Sequence, residues 1–218
     1  MTSGGDAAGM NPAIKAAVDH ARQLGMNPYV VYDGLEGLID GKIKEYYPEA
    51  KIQVIPHVLN GAVLTCCEGI KVVEDELPIL FNDCDHAFIS EKFYEFCKSA
   101  DFESVDGALL TFESDSPNYS YVQFDNQGKV IGTIEKMVAS KEAICGAYYF
   151  RNKTVFSESV NDYLNKCSYK EFFVSGVYNE MAEKNERIIT FPTDTHISFG
   201  TPEEYEVAIS DKRLEVLI

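Results

Sequence analysis

The sequence has no long hydrophobic run. Its longest apolar stretches, such as 78–81 and 108–112, fall far short of the roughly 20 residues that a membrane span requires. Met1 leads directly into the segment Thr2-Ser3-Gly4-Gly5, which does not resemble a secretory signal. We therefore expect no membrane partner and a cytoplasmic location.

Positive charge is scarce. The chain has 35 acidic residues against 19 lysines and arginines, and its formal net charge is -16. Long-range repulsion would oppose binding to a nucleic-acid backbone or an anionic membrane, so we expect no nucleic-acid partner. A nucleotide would need local help from a metal ion or from positioned backbone amides. The simpler interpretation of the same charge is that it keeps the protein soluble.

Paired cysteines with the spacing of a zinc site are also lacking. The six cysteines are scattered without a Cys-x-x-Cys pair, and several lie in apolar segments where a reduced thiol packs as a small hydrophobic group. We therefore expect reduced thiols and no zinc site.

What is present indicates one folded α/β domain over residues 1–218. Hydrophobic residues make up 45% of the chain and aromatic residues 12%, without a flexible linker. Strand patterns alternate with helical patterns, which predicts a mostly parallel sheet with flanking helices and a small β-hairpin excursion. The predicted strands are 28–32, 51–58, 77–81, 107–112, 119–125, 129–135, 143–151 and 187–191. The predicted helices are 12–24, a segment ending near Tyr47, 62–69, 91–99, 154–166, 175–184 and one beginning at Thr201.

An acidic segment follows the apolar run 77–81, which has the pattern of a central strand buried on both faces. The segment is Asn82-Asp83-Cys84-Asp85. In open α/β sheets ligands bind beyond the carboxyl ends of strands, and a carboxylate placed there can hold Mg²⁺ against phosphate oxygens. The alternative is that Asp83 or Asp85 only caps the next segment. His86 could contact phosphate or metal, although a lone histidine is more often structural.

These residues resemble a motif of the sugar-phosphate nucleotidyltransferases, also called nucleoside-diphosphate-sugar pyrophosphorylases. The segment Leu77 to His86 is similar to their strand and metal aspartate, with Asp85 in the aspartate's place. Further motifs of the family follow in order over about residues 51–210. They are 107–112, 119–122 with the hairpin, Glu135-Lys136, 146–150, 170–175, 177–179 and 199–204.

The resemblance implies a Rossmann-like sheet and transfer of a nucleoside monophosphate from a nucleoside triphosphate to a sugar phosphate or similar phosphorylated headgroup, with release of pyrophosphate. Glu135 would hydrogen-bond sugar hydroxyls and Lys136 would face the phosphate. Gly146 would let the acceptor approach the backbone, and Asn60-Gly61 would lie against the base. The alternatives are that Glu135 and Lys136 form an exposed ion pair and that Gly146 is a packing glycine.

The resemblance also implies Mg²⁺ as the cofactor. Asp85 would be one ligand. The family's second metal carboxylate aligns with Ser198, and Asp194 is the nearest acidic residue. We therefore name Asp85 and Asp194 as the candidate metal ligands.

The first 48 residues resemble a different family. Thr2 to Asn11 and Tyr32 to Gly41 are similar to the N-terminal segment of phosphofructokinase, over residues 2–44. In those kinases the loop corresponding to Gly4-Gly5-Asp6 lies against phosphates, where backbone amides at a helix start favour an anion. The catalytic aspartate motif and the sugar-phosphate arginines of that kinase family are absent.

Two features of the junction between the phosphofructokinase-like and nucleotidyltransferase-like segments affect function. The arginine-containing and lysine-containing triphosphate loop of the nucleotidyltransferases is missing, so residues 1–48 would substitute a different phosphate loop before the nucleotidyltransferase-like region 49–218. Both families place an apolar strand before this loop; we expect its position to be empty or filled by another chain, for example in a homo-oligomer. The alternative functions are a catalytically impaired hybrid that at most binds nucleotide, and phosphoryl transfer of the phosphofructokinase type.

Overall fold

The computed structural model describes residues 29–33, 48, 51–55 and 57–213 and shows an α/β fold. The ten strands described are β1 (Tyr29–Asp33), β2 (Lys51–Ile55), β3 (Ile79–Asn82), β4 (His86–Ile89), β5 (Gly107–Glu113), β6 (Ser120–Phe124), β7 (Val130–Glu135), β8 (Glu142–Phe150), β9 (Ile188–Pro192) and β10 (Thr195–Ser198). The α-helices described are α1 (Ala62–Ile70), α2 (Glu91–Lys98), α3 (Lys153–Lys166), α4 (Val174–Glu183) and α5 (Pro202–Ile209), and a 3-10 turn covers Ala100–Ser104.

The largest sheet has six strands. Its order is β7-β6-β8-β5-β9, and β3 also pairs with β8. The pairings show that β3, β5, β6 and β9 run in one direction and that β7 and β8 run opposite to them. In addition, β1 and β2 form a parallel pair, and β4 pairs with β10. The predicted α/β class with its β-hairpin is confirmed.

Strand β8 organises this sheet. It pairs with β5 along most of its length, and with β3 and β6 at different points. Because a strand has only two edges, β3 and β6 share the edge opposite β5. The register between β5 and β8 shifts between Leu109 and Thr111, which pair with Tyr148 and Ile144. Gly146 lies in this bulge with a φ of 83°, a conformation that favours glycine.

The two faces of β5 pack against different helices. On one face, Phe93 and Phe96 of α2 pack with the buried Ala108 and Leu110 in an aromatic-rich cluster. Ser90 is the N-cap of α2, and its hydroxyl accepts a hydrogen bond from the Phe93 N–H. On the other face Tyr178 of α4 is fully buried. Its hydroxyl reaches the carbonyls of Ala108 and Tyr149, at 3.0 and 2.7 Å.

The chain divides into two compact units. The first contains Met1–Val73, Asp83–Ala87 and Ile197–Ile218, and the second contains Glu74–Asn82 and Phe88–His196. The predicted single domain, and its division into residues 1–48 and 49–218, stay predictions.

Several predicted elements were displaced or missed. The run 77–81 was expected to be a strand buried on both faces, but the residues of β3 are half-buried and Asn82 is exposed. The reason is that within the described ranges β3 pairs with β8 alone and so has an open edge. Strands β4 and β10 were not predicted. The glycine-rich loop, the helix 12–24 and the helix ending near Tyr47 lie outside the described residues.

The structure also bears on the cysteines and on membrane-spanning helices. All six cysteines are described, and no disulfide joins them, as expected. Across the described ranges, none of the helices is long and apolar enough to cross a membrane.

Candidate active site

The acidic segment forms a short turn between two strands. Strand β3 ends at Asn82 and β4 begins at His86, so Asp83, Cys84 and Asp85 make the connection. The carbonyl of Asp85 accepts a hydrogen bond from the Phe199 N–H at 2.9 Å. The turn is therefore tied to the segment that follows β10.

The carboxylate of Asp85 lies against a glycine. A Cβ atom on Gly200 would lie 2.6 Å from Asp85 Oδ2, much closer than a van der Waals contact allows. The His86 Nε2 atom is 3.5 Å from Asp85 Oδ1, and the Asp85 side chain is 24% exposed. Glycine at position 200 thus leaves the room that this carboxylate occupies, a requirement that the sequence motif alone did not reveal.

Asp83 lies in the same turn and affects a thiol of α1. Burial raises the pKa of the Cys66 thiol well above its ordinary value, and the negative charge of Asp83 raises it further. The thiol is therefore held in its neutral form, and Cys66 is unsuited to act as a nucleophile or a thiolate ligand.

The acidic turn contains a carboxylate of the kind that Mg²⁺ accepts as a ligand. Among the residues that the structure describes, no group of three or more His, Cys, Asp and Glu side chains could hold a metal ion. Mg²⁺ does not need such a group, because it commonly binds one or two carboxylates and completes its shell with water and substrate phosphates. A partly exposed Asp85 carboxylate satisfies that requirement.

The other candidate metal ligand, Asp194, has a structural contact. Its Oδ2 atom accepts a hydrogen bond from the Glu91 N–H at 2.7 Å. Its own N–H donates to the Ile89 carbonyl at 2.7 Å. A carboxylate at this position stabilises the start of α2, where the helix dipole is positive. Its role as a metal ligand stays a prediction.

Glu135 ends β7, and two serine hydroxyls hold its carboxylate. Ser120 of β6 donates to Glu135 Oε2, and Ser175 of α4 donates to the same oxygen at 3.0 Å. Within the described part of the chain, the Oε1 atom accepts no hydrogen bond. The carboxylate is thus oriented by one oxygen, and the other oxygen keeps its acceptor capacity.

Lys136 has an unusual backbone conformation. Its φ is 53°, in the left-handed region that side-chain-bearing residues rarely adopt. Its N–H donates to the Tyr119 carbonyl at 3.1 Å, and its Nζ atom is 5.6 Å from the centre of the Phe173 ring. The other such residue in the described ranges, Asn185, follows the end of α4, where this conformation is common for asparagine. No helix end explains Lys136.

Helix α4 is joined to β7 by polar contacts. The Thr133 N–H donates to Asn179 Oδ1 at 2.7 Å. The Thr133 hydroxyl donates to the Ser175 carbonyl, also at 2.7 Å. These bonds join α4 to the strand that carries Glu135.

The segment 167–173 lies next to Glu135 and Lys136. Tyr163 accepts hydrogen bonds through its hydroxyl from the Phe173 N–H at 3.1 Å and from the Cys167 thiol at 3.3 Å. The Glu135 N–H points to the Tyr169 hydroxyl at 3.5 Å. The motif 170–175 is recognisable in the sequence, but the contacts of Ser120, Tyr169 and Ser175 with Glu135 join distant parts of the chain and leave no sequence signal.

The other candidate residues are placed as follows. Gly146 lies in the β8 bulge, next to Ala147, which pairs with Asn82. Gly61 precedes α1 and donates its N–H to the Leu59 carbonyl at 2.9 Å. The preceding residue, Asn60, is exposed. Gly4, Gly5 and Asp6 lie outside the described residues.

Comparison with known sequences concerns the N-terminal part. A family model described as phosphofructokinase matches residues 1–76. The ATP-dependent 6-phosphofructokinase of Sulfurimonas denitrificans is 60% identical over 43 residues, which are 20% of this chain and 14% of that protein. The enzyme of the same name from Wolinella succinogenes is 60% identical over 44 residues, again 20% and 14%. This chain therefore spans only a small part of these relatives.

Comparison with solved structures concerns almost the whole chain. The crystal structure of a nucleoside-diphosphate-sugar pyrophosphorylase from Vibrio cholerae matches with a TM-score of 0.69 and 18% sequence identity. The match covers 97% of this chain and 90% of that one. The chain thus combines a nucleotidyltransferase-type fold with an N-terminal segment similar to phosphofructokinase.

Proposed function

We propose that the protein is an Mg²⁺-dependent nucleotidyltransferase of sugar-nucleotide biosynthesis. It transfers a nucleoside monophosphate from a nucleoside triphosphate to a sugar phosphate or similar phosphorylated headgroup and releases pyrophosphate. The observation that carries the proposal is the pair Glu135-Lys136. A carboxylate clamped by two hydroxyls precedes a lysine in a strained backbone conformation, and such strain is concentrated at functional sites.

The reaction needs positioning and charge neutralisation rather than a covalent enzyme intermediate. A phosphate oxygen of the acceptor attacks the α-phosphorus of the triphosphate and forms a new phosphorus–oxygen bond. The bond from the α-phosphorus to the bridging oxygen of the β-phosphate breaks, and pyrophosphate leaves with the electron pair. Lys136 binds the acceptor phosphate through its ammonium group, and the second oxygen of Glu135 accepts hydrogen bonds from acceptor hydroxyls.

Other residues bind the remaining parts of the substrates. Gly146 lets the acceptor approach the backbone, because no side chain projects there. Asn60 and Gly61 contact the nucleotide base. Gly4, Gly5 and Asp6 bind triphosphate oxygens through backbone amides, in place of the arginine-containing loop of the nucleotidyltransferases.

Asp85 would hold Mg²⁺ through its carboxylate, and Asp194 is the second candidate ligand. When bound, the ion offsets the negative charge that develops on the phosphate oxygens. The partly exposed carboxylate of Asp85 and the room left by Gly200 support this assignment. We place the reaction in the cytoplasm and propose that the chain forms a homo-oligomer.

The test is a screen of the four common nucleoside triphosphates against a panel of sugar phosphates, with released pyrophosphate as the readout. We expect Mg²⁺-dependent release for one pair, and its loss in Asp85→Ala with the unfolding temperature preserved. Asp101→Ala removes an exposed carboxylate elsewhere and serves as the matched control. If Asp85→Ala turns over like the wild type, the assignment of Asp85 is wrong.

A second candidate is a hybrid that binds nucleotide without turnover. The observation that favours it is the phosphofructokinase family model, which matches residues 1–76. Calorimetric titration with nucleoside triphosphates and Mg²⁺ would show binding while the pyrophosphate screen stays blank. The third candidate, phosphoryl transfer of the phosphofructokinase type, predicts phosphorylation of fructose 6-phosphate by ATP, and absence of that product excludes it.

A further inference from the structure

We infer that Ser175 is a positioning residue for the acceptor, which acts by orienting Glu135; this inference rests on the proposed function. Ser175 does not reach the acceptor in this interpretation. Its hydroxyl donates to Glu135 Oε2 at 3.0 Å, and the residue is 2% exposed. A buried donor with one defined partner fixes the rotamer of that partner much more firmly than a solvated donor does.

Helix α4 has two further bonds to β7 that do not involve the Glu135 carboxylate. The Thr133 N–H donates to Asn179 Oδ1, and the Thr133 hydroxyl donates to the Ser175 carbonyl. Thr133→Val removes only the second of these bonds and leaves the Ser175 hydroxyl in place. The Ser175–Glu135 contact and the attachment of the helix can therefore be perturbed separately.

Ser120 supplies the second donor from the neighbouring strand. It faces Glu135 directly in the β6–β7 register, and its hydroxyl donates to the same Oε2 atom. Because both donors bind Oε2, the Oε1 atom keeps its acceptor capacity for a ligand. The chemical class of ligand that this arrangement suits is a polyhydroxylated acceptor, which donates hydrogen bonds to a carboxylate.

The kinetic experiment compares Ser175→Ala with Thr133→Val in the full chain. Loss of one hydrogen bond to a charged group leads us to expect an about tenfold rise in the acceptor KM for Ser175→Ala, with the KM of the triphosphate unchanged. Thr133→Val should lower the unfolding temperature with a smaller effect on the acceptor KM. Ser120→Ala should resemble Ser175→Ala, and Ser120→Thr, which keeps the hydroxyl, should restore the acceptor KM.

A double-mutant cycle identifies the route of the effect. In a Glu135→Ala background, Ser175→Ala should change the acceptor KM no further, because the group that it orients is gone. If Ser175→Ala has its full effect there, or if Thr133→Val raises the acceptor KM as much as Ser175→Ala does, the serine acts as a structural residue and the inference is overturned.

A readout independent of turnover separates this inference from the proposed function. The side-chain carboxyl ¹³C resonance of Glu135, identified by its loss in Glu135→Gln, should shift in Ser175→Ala and in Ser120→Ala but not in Thr133→Val. An unchanged resonance in Ser175→Ala overturns the positioning role. A shifted resonance without pyrophosphate release for any substrate pair supports the orienting contact and removes the transferase function instead.

Discussion

The carboxylate of Asp85 occupies the space where Gly200 would carry a side chain. A Cβ atom at position 200 would lie 2.6 Å from Asp85 Oδ2 and 3.3 Å from Asp85 Cγ. The atom that would have to move is the far end of a flexible side chain rather than backbone. A substitution at position 200 should therefore displace the carboxylate and leave the fold intact.

We expect Gly200→Ala to reduce pyrophosphate release by about tenfold or more, because it displaces the carboxylate that we propose as a metal ligand, and a shift of even about 1 Å weakens positioning. The unfolding temperature should change little. Gly128→Ala is the control, since nothing lies within 4 Å of its added methyl group. That control has a positive φ of 80° and should lose stability without losing activity. Full activity in Gly200→Ala would contradict the role of this contact.

Lys136→Gly should stabilise the protein while inactivating it. The left-handed backbone at Lys136 costs roughly 1–2 kcal/mol, and a glycine there removes this cost. The greater flexibility of glycine in the unfolded chain offsets about 0.5–1 kcal/mol of the gain. We therefore expect a gain of about 0.5–1 kcal/mol in the free energy of unfolding, measured by urea titration, together with an activity loss of about 100-fold.

Two variants separate these effects. Lys136→Met removes the ammonium group and keeps the strained backbone, so it should lose activity without the gain in stability. Asn185→Gly relieves the second positive φ, at 59°, and should leave activity unchanged. A less stable Lys136→Gly protein would show that the backbone strain has been misjudged.

Glu186 makes stability depend on pH in an unusual direction. Burial, and next the charge of Asp106, raise the pKa of this carboxyl, and its Oε2 atom is buried without a hydrogen bond from the described residues. The folded state therefore binds the proton more tightly than the unfolded state. This contribution destabilises the ionised protein as the pH rises above the ordinary value of about 4.5 and vanishes below it.

We expect Glu186→Gln to unfold at a higher temperature than the wild type at pH 7, with the difference shrinking towards zero near pH 4, because glutamine stays neutral. Thermal scans across this range provide the measurement. The exposed Glu171 offers a matched control in Glu171→Gln. An equal Tm for Glu186→Gln and wild type at pH 7 would refute the prediction.

Two partly buried thiols should resist alkylation in the native protein. Burial raises the pKa of Cys97 to about 12 and, together with the charge of Glu68, that of Cys67 to about 11. Only the thiolate reacts, so at pH 8 iodoacetamide should modify both residues at least about 100 times more slowly than in the unfolded chain. Peptide mapping by mass spectrometry measures the rates. Equal rates in the two states would mean that these thiols are not shielded.

Much of the fold could be predicted from hydrophobic patterns. The helix at 91–98 and the strand at 107–113 follow such patterns closely, since each buries one or both faces in the core. Strands β4 and β10 were missed because each has only four residues and is stabilised by pairing with the other. Such mutual stabilisation between segments far apart in the chain leaves no local pattern.

The sequence suggested residues for the candidate site but not their geometry. The motif indicated Asp85, Glu135 and Lys136, because the order of such residues is characteristic of a family. The hydroxyls that hold Glu135 and the positive φ of Lys136 depend on how β6, β7 and α4 come together. Local propensity contains no information about such tertiary contacts.

Strand β8 pairs with β6 and with β3 along the same edge, on either side of its bulge. Ala143 pairs with Tyr121 of β6, and Ala147 pairs with Asn82 of β3. The number of residues between Ala143 and Ala147 therefore sets the spacing between the two pairings. Deleting Gly146 would turn the remainder of β8 over, because successive side chains of a strand point to opposite faces. A designed variant could exchange the segments on either side of these residues, provided that the number of residues between Ala143 and Ala147 stays the same.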